Sequence, residues 1–172
     1  TLNDPIIQTK RKIEIINNGS GINIYNDTQP IVKEYNNKPV VLLHNGNIKI
    51  ASKLKTIIDY DNNVSDSDVL LQYIIYLLEN VCKNNIIEAI KKVITTIDGA
   101  YSVVLFYNES MYLFRDSLGM RPLTIGKHKK YDSYCVCTES AVFVKIDYEF
   151  EQEVDAGEII QVNNQITSYG TY

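Results

Sequence analysis

Arginine is nearly missing from this chain. Only Arg11, Arg115 and Arg121 stand among its 17 basic residues. Cysteine is scarce, at three, and histidine scarcer, at two. An odd number of cysteines, with no apolar signal core in "TLNDPIIQTKRK", argues against a disulfide framework and for a reducing compartment, the cytoplasm (or host cytoplasm for a viral chain). Cys135 and Cys137 are two apart on an expected strand, so they point the same way and are poorly placed to pair with each other. His44 and His128 have no partners at metal-ligand spacing, so no metal and no cofactor are expected. The net charge of -4 and the scattered lysines exclude a general nucleic-acid binder. No apolar run reaches the roughly 18 residues of a membrane span.

What is present is ordinary for a globular domain: 172 residues, 45% hydrophobic and 22% charged. No repeat or linker divides them, so residues 1–172 read as one domain with a sizeable core. The 17 Asn and 24 Ile suggest AT-rich coding, which dilutes arguments from turn propensity. "RKIEII" (11–16) and "PIVKEY" (30–35) read as strands, and "PVVLLH" (39–44) as a strand buried on both faces. "IASKLKTIID" (50–59) has helical spacing. Residues 66–82 carry a wide apolar stripe (Val69, Leu70, Tyr73, Ile74, Leu77, Leu78), and 85–97 a second one (Ile86, Ala89, Ile90, Val93, Ile94, Ile97), stopped by Asp98-Gly99. From there "YSVVLFY", "MYLFR", "PLTIG", "SYCVCT", "EIIQV" and "QITSY" are short strands, with one helical turn at "ESAVFVK". Two adjacent helices flanked by many strands predict a layered α+β domain rather than alternating βαβ units.

Three motifs carry chemistry. His44-Asn45-Gly46-Asn47 reads first as a hairpin turn by local rules. Alternatively, Gly46 admits a ligand close to the backbone, with Asn45 and a main-chain N–H as oxyanion donors. Ser65-Asp66-Ser67-Asp68 reads as a helix cap, or as a carboxylate site for a cation near the helix start. In "FRDSLGMRPL" (114–123), Arg115, Asp116 and Arg121 around Gly119 look like a tight turn locked by Arg–carboxylate bonds. Gly19-Ser20-Gly21 lacks the rest of a phosphate-loop pattern and is read as a turn.

Taken in order, "TQPIV", "LLHNGNI", "SDSDVLL", "DGAYSVVLFYNESMYLFRDSLGMRPLTIGK", "YCVCTES" and "VDAGEIIQV" resemble the glutaminase domain of class II glutamine amidotransferases, on the amidophosphoribosyltransferase branch. The resemblance covers residues 28 to 162. It implies an N-terminal-nucleophile hydrolase fold, a four-layer αββα sandwich of two mainly antiparallel sheets. In that family an N-terminal Cys thiolate attacks the glutamine side-chain amide, its own α-amino group is the base, and the ammonia passes to a synthase domain. By resemblance, Asn45 and Gly46 match the oxyanion hole, and Asp66 matches the carboxylate that holds the substrate's α-amino group. Arg115, Asp116, Gly119 and Arg121 match a structural hairpin motif.

The chain also departs from the family. It begins with Thr1, not Cys, and the N-terminal part of the family domain has no counterpart. The segment whose Arg binds the substrate carboxylate reads Ile24-Tyr25-Asn26-Asp27, without the guanidinium fork. Cys82, Cys135 and Cys137 have no α-amine and no evident histidine partner, and Thr1 does not open the family's first strand. The expectation is a degenerate glutaminase with negligible activity as given, glutamine binding weak or lost, and a possible separate synthase subunit. The alternatives are a regulatory module on the same fold, the old pocket reused for another ligand, and an active enzyme whose Cys segment lies outside this chain.

Overall fold

The computed structural model describes residues 28–49, 51–59 and 64–172. The expected strand at 11–16, the Gly19–Gly21 turn and the Ile24–Asp27 segment lie outside them. The chain runs β1 (Ile31–Tyr35), β2 (Lys38–Ile48), α1 (Ala51–Ile57), α2 (Asp66–Asn80), α3 (Ile86–Thr96), β3 (Gly99–Tyr107), β4 (Ser110–Arg115), β5 (Thr124–His128), β6 (Tyr134–Cys137), a 3-10 helix (Ser140–Ile146), β7 (Tyr148–Glu153), β8 (Glu158–Val162) and β9 (Ile166–Thr171). Six strands form one sheet in the order β1-β2-β3-β4-β8-β9, and β6-β5-β7 form a second. Every pairing is antiparallel.

The helices form where the sequence periodicity places them. Ser65 caps α2, its hydroxyl accepting the Asp68 N–H at 3.2 Å, and Asn85 caps α3 by accepting the Glu88 N–H at 3.2 Å. Their apolar stripes pack on the six-stranded sheet in one core with Leu42, Val103, Leu105 and Phe114. Burying each Leu or Ile contributes about 1.5–3 kcal/mol, so packing rather than propensity holds these helices. A smaller core joins the two sheets through Leu113, Ile160, Ile125, Leu123 and Val154. Among the described residues the layering is therefore helix, sheet, sheet, with the two antiparallel sheets of the αββα sandwich that the resemblance implied. On the outer face of the second sheet, the described residues place the 3-10 helix, whose Phe143 sits against Gly126.

Local reading erred at several junctions. Gly99 does not stop α3 by a left-handed turn. Ile97 already has extended backbone (φ -91°, ψ 120°), and Gly99 opens β3. A side chain on Gly99 would meet the carbonyl of Asn47 at 2.4 Å, so close strand approach is its role. The tight hairpins fall at Asn36-Asn37 (φ 53° and 57°) and Asn108-Glu109 (φ 50° and 61°), each with the two left-handed residues of a primed turn. β7, "YEFEQE", alternates polar residues with little apolar content and escapes a hydrophobic-pattern reading.

Candidate functional site

β2 passes straight through the His44–Asn47 motif. Asn45 pairs with Ser102, Gly46 with Tyr101 and Asn47 with Ala100, and the strand ends at Ile48. The hairpin reading is overturned, and the strand expected at 39–44 runs on to Ile48: the long ladder with β3 outweighs the local turn preference of Asn-Gly. Gly46 has φ +148°, and a Cβ there would lie 2.0 Å from the carbonyl oxygen of Ala100. Only glycine lets β2 approach β3 this closely. Strand alternation turns His44 into the core and leaves Asn45 exposed on the other face.

The start of α2 abuts this end of β2. Asp66 is half-buried at 29% side-chain exposure, and its Oδ2 accepts the N–H of Ile48 at 3.2 Å. Asp66 Oδ1 lies 3.9 Å from His44 Nδ1, which sits 2.8 Å from Ser67 Oγ. Gln29 completes the cluster. Its Oε1 accepts the His44 N–H at 2.6 Å and its Nε2 donates to the His44 carbonyl at 2.7 Å. Gly46 thus lies between two clamps, Gln29 on residue 44 and Asp66 on residue 48. Asp68 points elsewhere and pairs with Lys33 of β1 at 3.0 Å. Burial pushes the His44 imidazole below its ordinary pKa, and the negative charge of Asp66 opposes that shift.

The Arg115–Arg121 motif is built differently from the expected Arg–carboxylate lock. Asp116 accepts three backbone N–H groups, from Tyr101 at 3.0 Å, Leu118 at 3.0 Å and Met120 at 3.3 Å. Arg115 reaches past it to Glu153 Oε1 at 2.9 Å, the Val154 carbonyl at 2.5 Å and the Gly119 carbonyl at 2.5 Å, joining the two sheets. Gly119 takes φ +61° against Ala156. Arg121 is exposed and is no part of this cluster. The motif reaches the β2 site indirectly: Asp116 fixes Tyr101, the partner of Gly46. Among the described residues, no group of three His, Cys, Asp or Glu side chains could hold a metal ion, and no helix is long and apolar enough to cross a membrane.

Comparison with known proteins gives this geometry a family. Residues 10–145 match the sequence profile described as "Glutamine amidotransferase domain". The chain belongs to that family. It is 27% identical over 140 residues to amidophosphoribosyltransferase of Methanocaldococcus jannaschii, covering 79% of this chain and 29% of that protein. It is 30% identical over 151 residues to amidophosphoribosyltransferase of Schizosaccharomyces pombe, covering 79% and 28%. Its fold superposes with a TM-score of 0.71 on glutamine phosphoribosylpyrophosphate amidotransferase from Bacillus subtilis, at 28% identity, covering 83% of this chain and 31% of that one. The chain thus spans under a third of the length of these relatives. The two-sheet sandwich of this amidotransferase domain is of the N-terminal-nucleophile type.

Within the domain, the structure brings Asn45, Gly46 and Asp66 to one end of β2 and sets Arg115, Asp116 and Gly119 behind them. Reasoning from sequence gave His44, Ser67 and Gln29 no role in this site. The available signal was the alternation Val40, Leu42, His44, which places the histidine on the buried face of β2, where it needs a polar partner.

Proposed function

We propose that this chain carries the substrate-holding half of a glutaminase site. Asp66 takes the α-ammonium group of glutamine, and the Asn45 carboxamide with the Gly46 N–H stabilises the oxyanion formed at the side-chain amide carbon. The observation that carries this reading is the Asp66 carboxylate docked on β2 two residues beyond Gly46, with one oxygen held by Ile48. The 172 residues bind glutamine weakly and do not hydrolyse it. By resemblance, the segment that carries the family's carboxylate-binding Arg reads Ile24-Tyr25-Asn26-Asp27 here and offers no guanidinium. Among the described residues no thiol adjoins Asn45: Cys82 is packed in the helical core just past α2, and Cys135 and Cys137 lie on the second sheet, paired across from Gly126 and Thr124.

The test pairs an ammonia-release assay with NMR titration of L-glutamine into the chain. The expected result is no ammonia above background, with binding at about the millimolar level that is lost in Asp66→Ala. Ammonia release at the rate of an ordinary family member, or micromolar affinity, overturns the reading. Binding that survives Asp66→Ala overturns the role given to Asp66.

A further inference from the structure

The roles assigned above leave out His44, yet its side chain is only 1% exposed and stands against Asp66. Nδ1 contacts Ser67 Oγ, while Nε2 has no hydrogen-bond partner among the described residues. The Tyr101 hydroxyl, buried on the same face, has none either, and its ring meets the imidazole edge-on at 6.5 Å between centroids. These contacts select a protonation state. A proton on Nδ1 can be donated to Ser67. A lone pair on the buried Nε2 costs far less than a buried, cationic N–H with no acceptor.

We propose that His44 is a positioning and specificity-determining residue of the Asp66 subsite: a neutral ring fastened to Ser67, it packs the helix start against β2 without giving Asp66 a counter-ion, so the carboxylate is left for the ammonium group of an amino-acid ligand. The proposal rests on the reading of Asp66 given above. Among the described residues, the other groups around His44 do not supply that counter-ion. On α2, Asp68 is taken up by Lys33 of β1. β3 brings the phenol of Tyr101, and the segment before β1 brings the neutral Gln29. A proton on His44 would set a cation 3.9 Å from Asp66 and take the place of the ligand's ammonium. Ligand and proton therefore oppose each other, and the coupling is reciprocal.

The test uses the 172-residue chain, L-glutamine as probe, and NMR observation of the His44 ring. Affinity is expected to fall severalfold as acidification protonates the ring, with the fall tracking the His44 titration read in the same samples. Added glutamine should move the His44 titration to lower pH, and H44Q should bind without that pH dependence. A wild-type affinity that is unchanged across the observed His44 titration, or a dependence that persists in H44Q, overturns the proposal. Should glutamine bind at neither pH, the ammonium role of Asp66 fails on its own account, and D66N decides the His44 proposal. In D66N the ring must titrate at lower pH than in the wild type, because the charge opposing its desolvation is gone. An unchanged titration overturns the proposal, and this measurement also decides the matter if H44Q does not fold.

Discussion

The carboxylate of Asp66 accepts the backbone N–H of Ile48 at 3.2 Å, fastening the first turn of α2 to the last residue of β2. One side chain thereby serves two ends. It satisfies a donor where β2 leaves the sheet, and it places a negative charge where the helix dipole favours one. Its second oxygen lies 3.9 Å from His44 Nδ1, and it is the half of the carboxylate assigned to the ligand in the proposed function.

Gly46→Ala is expected to destabilise the domain by about 3 kcal/mol or more, because the new Cβ meets backbone that cannot move without breaking the β2–β3 ladder. Gly170→Ala is the control. It has φ +90° with no atom within 4 Å, so it carries backbone strain alone and should cost about 1 kcal/mol. Urea unfolding of both variants separates clash from strain, and equal losses would contradict the close approach at Gly46.

Asp116→Ala leaves three backbone donors without their charged acceptor and should cost about 3 kcal/mol or more. Arg121→Ala should stay within about 0.5 kcal/mol, since the side chain is exposed and outside the cluster. Thermal melts of the pair would reveal a hidden partner of Arg121 if both variants were destabilised alike.

The folded state holds the His44 pKa below the ordinary value of 6.5. As pH falls below that value, the unfolded chain takes a proton that the folded chain resists, so stability is present at neutral pH and declines into the acid range until the folded-state pKa is passed. The urea midpoint should fall more steeply with acidification in the wild type than in H44Q. Identical slopes would mean that the ring titrates in the native protein as it does in water.

Burial pushes the thiols of Cys82 and Cys135 up, so neither is a ready thiolate at neutral pH. Iodoacetamide should label both slowly compared with a free thiol, as read by peptide mass spectrometry. Rapid alkylation of either under native conditions would reopen the search for a nucleophile within these residues.

Much of the molecule could be read along the chain, because its causes are local. The 3.6-residue stripes of α2 and α3, the Ser65 cap and the short alternating strands each depend on neighbours a few residues away, and the ordered motifs from Thr28 to Val162 identify the family. What the sequence alone could not determine were relations between distant segments. Asn45-Gly46 has the composition of a turn, and it is strand because β3 supplies a partner for every residue from Val41 to Ile48. Arg115 lies next to Asp116 in sequence yet pairs with Glu153, because Asp116 is already committed to backbone donors. His44 offered no ligand spacing, and only the packing of α2 on β2 gives it Ser67 and Asp66 as neighbours. Local propensities are worth a few tenths of a kcal/mol to about one, and a buried ladder or a charged acceptor for several N–H groups outweighs them. The sequence by itself thus determined the elements and the family, while the tertiary structure decided which polar groups meet at the end of β2.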